Sequence, residues 1–193
     1  MLINEKKIAS IHEAGHAIIY HIYGYNIDSI TLTDDGSGMV NALSYKPTTD
    51  MINSDLNILF NKMDIYGMIC LSGYCAELKF KNKRLNGLMT ISNPNKDLYL
   101  ENDIDSLRNE MKKGNEILGD EYFDNSYFYF IQTDTRKFIG KKKIWDAIIN
   151  LSEELMSSET SYFEGKRVHE ILNKHVKHGA KKNEYCNIIN FIN

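Results

Sequence analysis

From Asn4 to Tyr23 the apolar residues Ile8, Ile11, Ala14, Ile18, Ile19 and Ile22 recur at helical spacing, and Gly24 is a natural stop. The pattern then changes. Ile27–Thr33 and Met39–Tyr45 read as strands, and Asp34-Asp35-Gly36-Ser37-Gly38 between them is a turn signal, which predicts a hairpin or two neighbouring strands. A polar break containing Pro47 precedes a second helical stretch from about Ser54 to Lys79. Lys81 to Asn95 reads as a loop, rich in Asn and Lys and carrying Gly87 and Pro94. Leu98, Ile104, Leu107 and Met111 open another helix, with Asn95 or Asp97 as candidate caps. Tyr122 to Ile131 is aromatic-rich and fits helix or strand equally, and Ile144 to Met156 is helical. Ser161-Tyr162-Phe163-Glu164 carries the capping-box pattern ahead of a last helix through Val168, Ile171 and Leu172. The expectation is a mostly α (α+β) fold: a helical domain over residues 1–180 with a small N-terminal β-sheet or hairpin and a C-terminal helix pair. The Lys- and Asn-rich residues 181–193 are expected to form a loose tail.

Composition narrows the function classes. The chain has 193 residues, 42% hydrophobic and 25% charged, which suits an ordinary globular domain rather than a disordered one. Its net charge of -3 leaves no electrostatic footprint for nucleic acid. Apolar runs fall short of the roughly 18–20 residues a membrane helix needs. Met1-Leu2-Ile3 leads into Glu5, Lys6 and Lys7 without a signal-peptide pattern, so the expectation is a soluble, cytoplasmic protein. Cys70, Cys75 and Cys186 form no C-x-x-C pair; Cys70 and Cys75 lie in an apolar helical stretch and read as buried, inert thiols.

One motif carries chemistry. His12-Glu13-Ala14-Gly15-His16 is H-E-x-x-H, and it falls inside the first predicted helix. Residues four apart lie one turn above each other, so His12 and His16 can direct two imidazoles at one ion at about 2.0–2.1 Å, as zinc prefers. Glu13, rotated by about 100° from His12 on the helix, can reach a zinc-activated water without ligating the metal and act as its general base. Such a site needs a third protein ligand. His21, five residues after His16, points away from the His12/His16 face and is a poor candidate, which leaves downstream acidic residues.

The phrase Ile8-Ala9-Ser10-Ile11-His12-Glu13-Ala14-Gly15-His16-Ala17 resembles the zinc-peptidase domain of FtsH-type membrane AAA proteases. Further blocks follow in the family's order. Ile27 to Leu32 looks like its short strand after the motif helix. Leu71-Ser72-Gly73-Tyr74-Cys75-Ala76-Glu77 is similar to its L-G-G-R-A-A-E segment, and Glu101-Asn102-Asp103-Ile104-Asp105 to its S-N-D-L-E segment. Trp145 through Leu155, followed by Glu159-Thr160, resembles its closing helix pair. The resemblance implies that Asp103 is the third zinc ligand; a carboxylate in the first turn of a helix is also held in its ionised form by the helix dipole. The alternative is that Asp103 only decorates that helix end. Asp105, offset by about 200° on the helix, is expected to face solvent. Glu77 matches a family glutamate near the site, either supporting a ligand from behind or, 61 residues beyond His16, serving as a gluzincin-like third ligand itself.

The departures are Ser72, Tyr74 and Leu100-Glu101, where the family has Gly, Arg and small residues. They bear on the shape of the substrate cleft. No Gly-x-x-x-x-Gly-Lys-Ser/Thr phosphate loop occurs, and only about eleven residues precede His12, so ATP-driven unfolding is expected to come from a separate AAA ATPase. The expected function is a zinc-dependent metalloendopeptidase acting on flexible or unfolded polypeptides. The alternative is a non-catalytic or regulatory module that binds zinc or peptide and associates with an AAA protease or another protein. The family assembles as hexamers, which leaves room for a homo-oligomer here.

Overall fold

Between Ala9 and Tyr23 every residue except Tyr20 is buried. A helix apolar on nearly all sides belongs in the middle of a core, and the first helix, α1 (Leu2–Tyr23), lies there. A computed structural model describes residues 2–33, 36–42, 47–48, 56–82, 98–158 and 160–180. In chain order the elements after α1 are β1 (Ile27–Leu32), β2 (Gly38–Ala42), α2 (Leu56–Phe80), α3 (Leu98–Leu118), α4 (Asn125–Gly140), α5 (Lys142–Ser157), β3 (Tyr162–Glu164) and α6 (Gly165–Asn173). The fold is mostly α with one small antiparallel sheet. Packed against α1 are α2 and α5 together with the sheet, while α4 covers α2. Gly24, at φ +81°, turns the chain out of α1; a left-handed residue here would strain any side chain.

The expected hairpin forms, with Ile30 opposite Val40 and Leu32 opposite Gly38, and a bulge between Ile27 and Ser29. The strand order is β2-β1-β3, so β1 is central. Its third member corrects the sequence reading. Tyr162, Phe163 and Glu164 do not cap a helix but pair with Thr31, Ile30 and Ser29 as β3. Two aromatic residues favour the strand, and the backbone of β1 offers them hydrogen bonds that a local capping box cannot match. Glu164 makes no side-chain cap bond, and α6 begins at Gly165. A Cβ there would collide with the Ile27 carbonyl, so only glycine permits this junction.

Tyr122–Ile131 resolves as helix from Asn125 onward. Asp124 settles it by accepting hydrogen bonds from the Ser126 and Tyr127 amides at 2.9 and 3.0 Å. Helix α2 runs close to its expected span, and α5 and α6 supply the C-terminal helix pair with β3 between them. Among the described residues no helix is long and apolar enough to cross a membrane. The loop beyond Asn82, the candidate caps Asn95 and Asp97, the turn residues Asp34 and Asp35, Cys186 and the tail 181–193 lie outside the described residues.

Asp64 of α2 is 1% exposed and accepts a hydrogen bond from the Tyr127 hydroxyl at 3.0 Å. Burial pushes its carboxyl up to about 7, against the pull of that hydrogen bond. A folded value above the unfolded one means that stability is full at low pH and is lost as pH rises through about 7. Asp64→Asn is therefore expected to be more stable than the parent at pH 8.5, by roughly 1–3 kcal/mol, with the gap closing towards pH 5. Urea unfolding at the two pH values measures this, and equal midpoints at pH 8.5 would refute it.

Candidate metal centre

Helix phase supplies the first two donors. His12 and His16 sit one turn apart on α1, each less than a tenth exposed. Helix α3 crosses opposite them and brings Asp103, whose side chain is 30% exposed. Asp103 Oδ2 stands 3.4 Å from His12 Nε2 and 3.2 Å from His16 Nε2, and the two Nε2 atoms are 2.8 Å apart. Because α3 starts at Leu98, Asp103 falls in its second turn rather than its first, where the helix dipole has largely faded. The imidazoles, not the helix end, hold this carboxylate.

The remaining ring nitrogens decide which atoms face the cluster. His12 Nδ1 donates to Glu77 Oε1 at 2.7 Å, and the other Glu77 oxygen takes Lys81 Nζ at 2.6 Å. His16 Nδ1 donates to the Ile69 carbonyl at 2.7 Å, a backbone oxygen that can only accept. In their neutral form both rings then turn a bare Nε2 inward, as ligating histidines do when their second nitrogen is held from behind. Glu77 is thus a buttress for His12, on the ring face away from Asp103. Among the described residues, His12, His16 and Asp103 form the group whose ligand atoms converge closely enough for one ion.

The donor set fits a metal. A tetrahedral zinc with bonds of about 2.0–2.1 Å has ligand–ligand edges of about 3.3–3.4 Å. The edges here are 2.8, 3.2 and 3.4 Å. With both imidazoles neutral, three lone pairs would face one another with no donor between them, an arrangement that calls for a cation. Without a metal, protons fill that role. Burial opposes charge on His12, but Asp103 and Glu77 hydrogen bonds and the nearby Glu13 outweigh it and raise the ring to about 10. His16 is raised by Asp103 against burial and against charge on His12. Burial opposes ionisation of Asp103 too, yet the two imidazoles hold its carboxyl well below the usual range.

Glu13 faces a different surface of α1. Its carboxylate is 5% exposed and is hydrogen-bonded by the Val40 backbone on β2. Burial raises its carboxyl above the ordinary value, against the pull of both imidazoles. The neighbouring strand makes room for it: a Cβ on Gly38 would lie 2.6 Å from Glu13 Cγ. Glu13, His12, His16 and Asp103 open onto one cavity of about 370 Å³, lined also by Tyr20, Met39, Val40, Tyr66, Ile69 and Cys70.

Two contributors escape a reading of residue chemistry alone. Gly15 packs on Ser72 and Ala76, and Gly73 lies against the Nε2 ends of both histidines, beside the point where the donors converge. A Cβ at Gly73 would come within 2.5 Å of His12 Cδ2 and Nε2, and against His16 Nε2. The small residues Ser72, Gly73 and Ala76 at helical spacing were the available signal. Gly73→Ala is expected to displace the rings and weaken metal binding at least about 10-fold with the helical fold retained. Competition with a chromogenic chelator reads the affinity, circular dichroism reads the fold, and unchanged affinity would refute the crowding argument.

The other candidates fall where the sequence put them. His21 lies away from the cluster, bonded to His169 and the Val176 carbonyl. Asp105 is exposed and pairs with Arg108 at 2.6 Å. Cys70 and Cys75 are buried and unpaired, and burial pushes both thiols up, Cys75 to about 12, which leaves them unreactive. No family model matches the chain, and no curated protein matches it.

Proposed function

We propose that the chain is a zinc-dependent metallopeptidase that hydrolyses peptide bonds in flexible or unfolded polypeptides. One observation carries the reading: three lone-pair donors converge at 2.8–3.4 Å, beside a buried carboxylate, Glu13, that is not among them. His12, His16 and Asp103 would hold the ion. Two imidazole nitrogens with one carboxylate oxygen suit zinc better than magnesium or calcium, which take oxygen shells. Bound there, zinc supplies Lewis acidity that polarises a carbonyl and makes water a nucleophile near neutral pH.

The chain's own residues do the rest. Glu13 accepts a proton from the attacking water at its carboxylate and delivers one to the leaving amine nitrogen. Its raised carboxyl brings both steps closer to neutral pH. Glu77 and the Ile69 carbonyl fix the two ring orientations. Met39 and Val40 of β2 line the cavity, and among the described residues β2 is an edge strand, so an extended peptide added to that edge would run past the donors. The resemblance of the H-E-A-G-H-A phrase and the Asn102-Asp103 segment to FtsH-type peptidase domains supports the same assignment.

The test is metal analysis of the purified chain together with cleavage of an unstructured protein, before and after chelation and zinc return. Stoichiometric zinc with no zinc-dependent cleavage of any flexible substrate would sink the reading. It would favour the second one, a peptide-binding module that keeps the metal and offers the edge of β2 to an AAA protease or another partner.

A further inference from the structure

The far end of α1 carries a second group of imidazoles. His21 on α1, His169 on α6 and His178 in the segment after α6 lie with ring centroids 4.7, 5.1 and 5.2 Å apart. Backbone partners fix the protons on two of them. The Ile27 amide donates to His169 Nε2 at 3.2 Å, so that nitrogen is bare and the His169 proton sits on Nδ1. His21 Nε2 lies 2.8 Å from the Val176 carbonyl, which only accepts, so the His21 proton sits on Nε2 and its Nδ1 is bare. The two Nδ1 atoms are 2.8 Å apart, and His169 therefore donates to His21. Three hydrogen bonds run one way, from the Ile27 amide through both rings to Val176. The same assignment argues against a metal there, because His169 Nδ1 already bears a proton.

This chain ties elements together. The His21 carbonyl also accepts from the Gly179 amide at 2.9 Å, and His178 Nε2 reaches the Tyr25 carbonyl at 3.4 Å. We propose that the His21–His169 relay is an acid-released latch: it fastens α6 and the segment after it to the end of α1 and the start of β1, and opens when either ring takes up a proton. A proton on His21 Nδ1 faces the His169 N–H. A proton on His169 Nε2 faces the Ile27 N–H. Either one sets donor against donor.

The surroundings leave an added charge uncompensated. His21 meets His169 from α6, His178 and the Val176 carbonyl from the following segment, and, through His169, the Ile27 amide of β1. Asp28, next to Ile27, is exposed, and His175 of the same segment bonds instead to Asn150 of α5. Burial holds the His21 ring down to about 4, against the Val176 carbonyl and with the help of the other two imidazoles. Burial and His178 lower His169 as well. With folded values below the ordinary 6.5, the latch is at full strength above that pH and weakens as pH falls towards 4. The loss is up to about tenfold per pH unit for each ring. Because β3 runs directly into α6, opening also loosens the strand on one edge of β1.

The experiment is nitrogen-15 NMR of the full chain from pH 7.5 to 4. At pH 7.5 the rings should show His169 protonated on Nδ1 and His21 on Nε2. After correction for intrinsic exchange, the Ile27 and Gly179 amides should lose at least about tenfold protection by pH 5, while the His21 ring itself takes up its proton only as pH nears 4. His169→Gln keeps one acceptor and one donor without titrating, and should retain at least about tenfold more protection than the parent at pH 5. Opposite tautomers at pH 7.5 would overturn the latch. So would ring titration that leaves both amides protected, or equal loss of protection in the parent and His169→Gln.

Discussion

Replacing Glu13 with glutamine is expected to leave the metal bound while peptide hydrolysis falls by at least about 10²-fold. The amide has nearly the shape of the carboxylate and can stay beneath Gly38 and Val40, so the pocket should survive. What it lacks is a site that takes a proton from water near neutral pH. Metal analysis and turnover of a flexible substrate on the same preparation separate the two effects. Loss of metal in Glu13→Gln would mean that Glu13 helps hold the ion and that its role as base is misassigned.

The second large effect concerns the third ligand. Asp103→Ala removes the one anionic donor of the cluster and is expected to lower metal affinity by more than about 100-fold, beyond what changes behind a ligand usually cost. Asp103→Asn should weaken binding as well, since a neutral amide oxygen replaces a charged one. Glu77→Gln is expected to behave differently. Its partner is His12 Nδ1, so the amide oxygen can still accept that hydrogen bond while the pull of the charge is lost, and affinity should drop only about 10–100-fold. Chelator competition measures all three variants. If Glu77→Gln empties the site and Asp103→Ala keeps it full, the assignment of the ligand and its buttress is reversed, and a gluzincin-like site takes its place.

Much of the site was legible because its chemistry is local. Four-residue spacing on one helix brings His12 and His16 together whatever surrounds them, and Glu13 between them is necessarily on another face. The same geometry turns His21 away, and the structure shows it facing α6. Asp103 and Glu77 could be nominated from the family-like segments that carry them. Their division of labour could not, because it depends on which imidazole nitrogen each carboxylate meets, and that is set by where α2 and α3 cross α1.

The chain by itself determined the helical frame, the hairpin and the positions of four groups that suit a metal and a base. These follow from hydrophobic period and side-chain chemistry, which act over a few residues. Tertiary structure alone decided the rest. Tyr162–Glu164 became a strand because the edge of β1 opposite β2 offered pairing more than 130 residues away in sequence, beyond the reach of any local capping signal. Gly73 and Gly38 matter only because another element's side chains press against them. The inward aim of the His12 and His16 Nε2 atoms, and the one-way relay through His169 and His21, exist because the Glu77 carboxylate and backbone carbonyls and amides from distant segments claim the other nitrogens. A residue's type limits the hydrogen bonds it can make, but the packing of the whole chain selects among them.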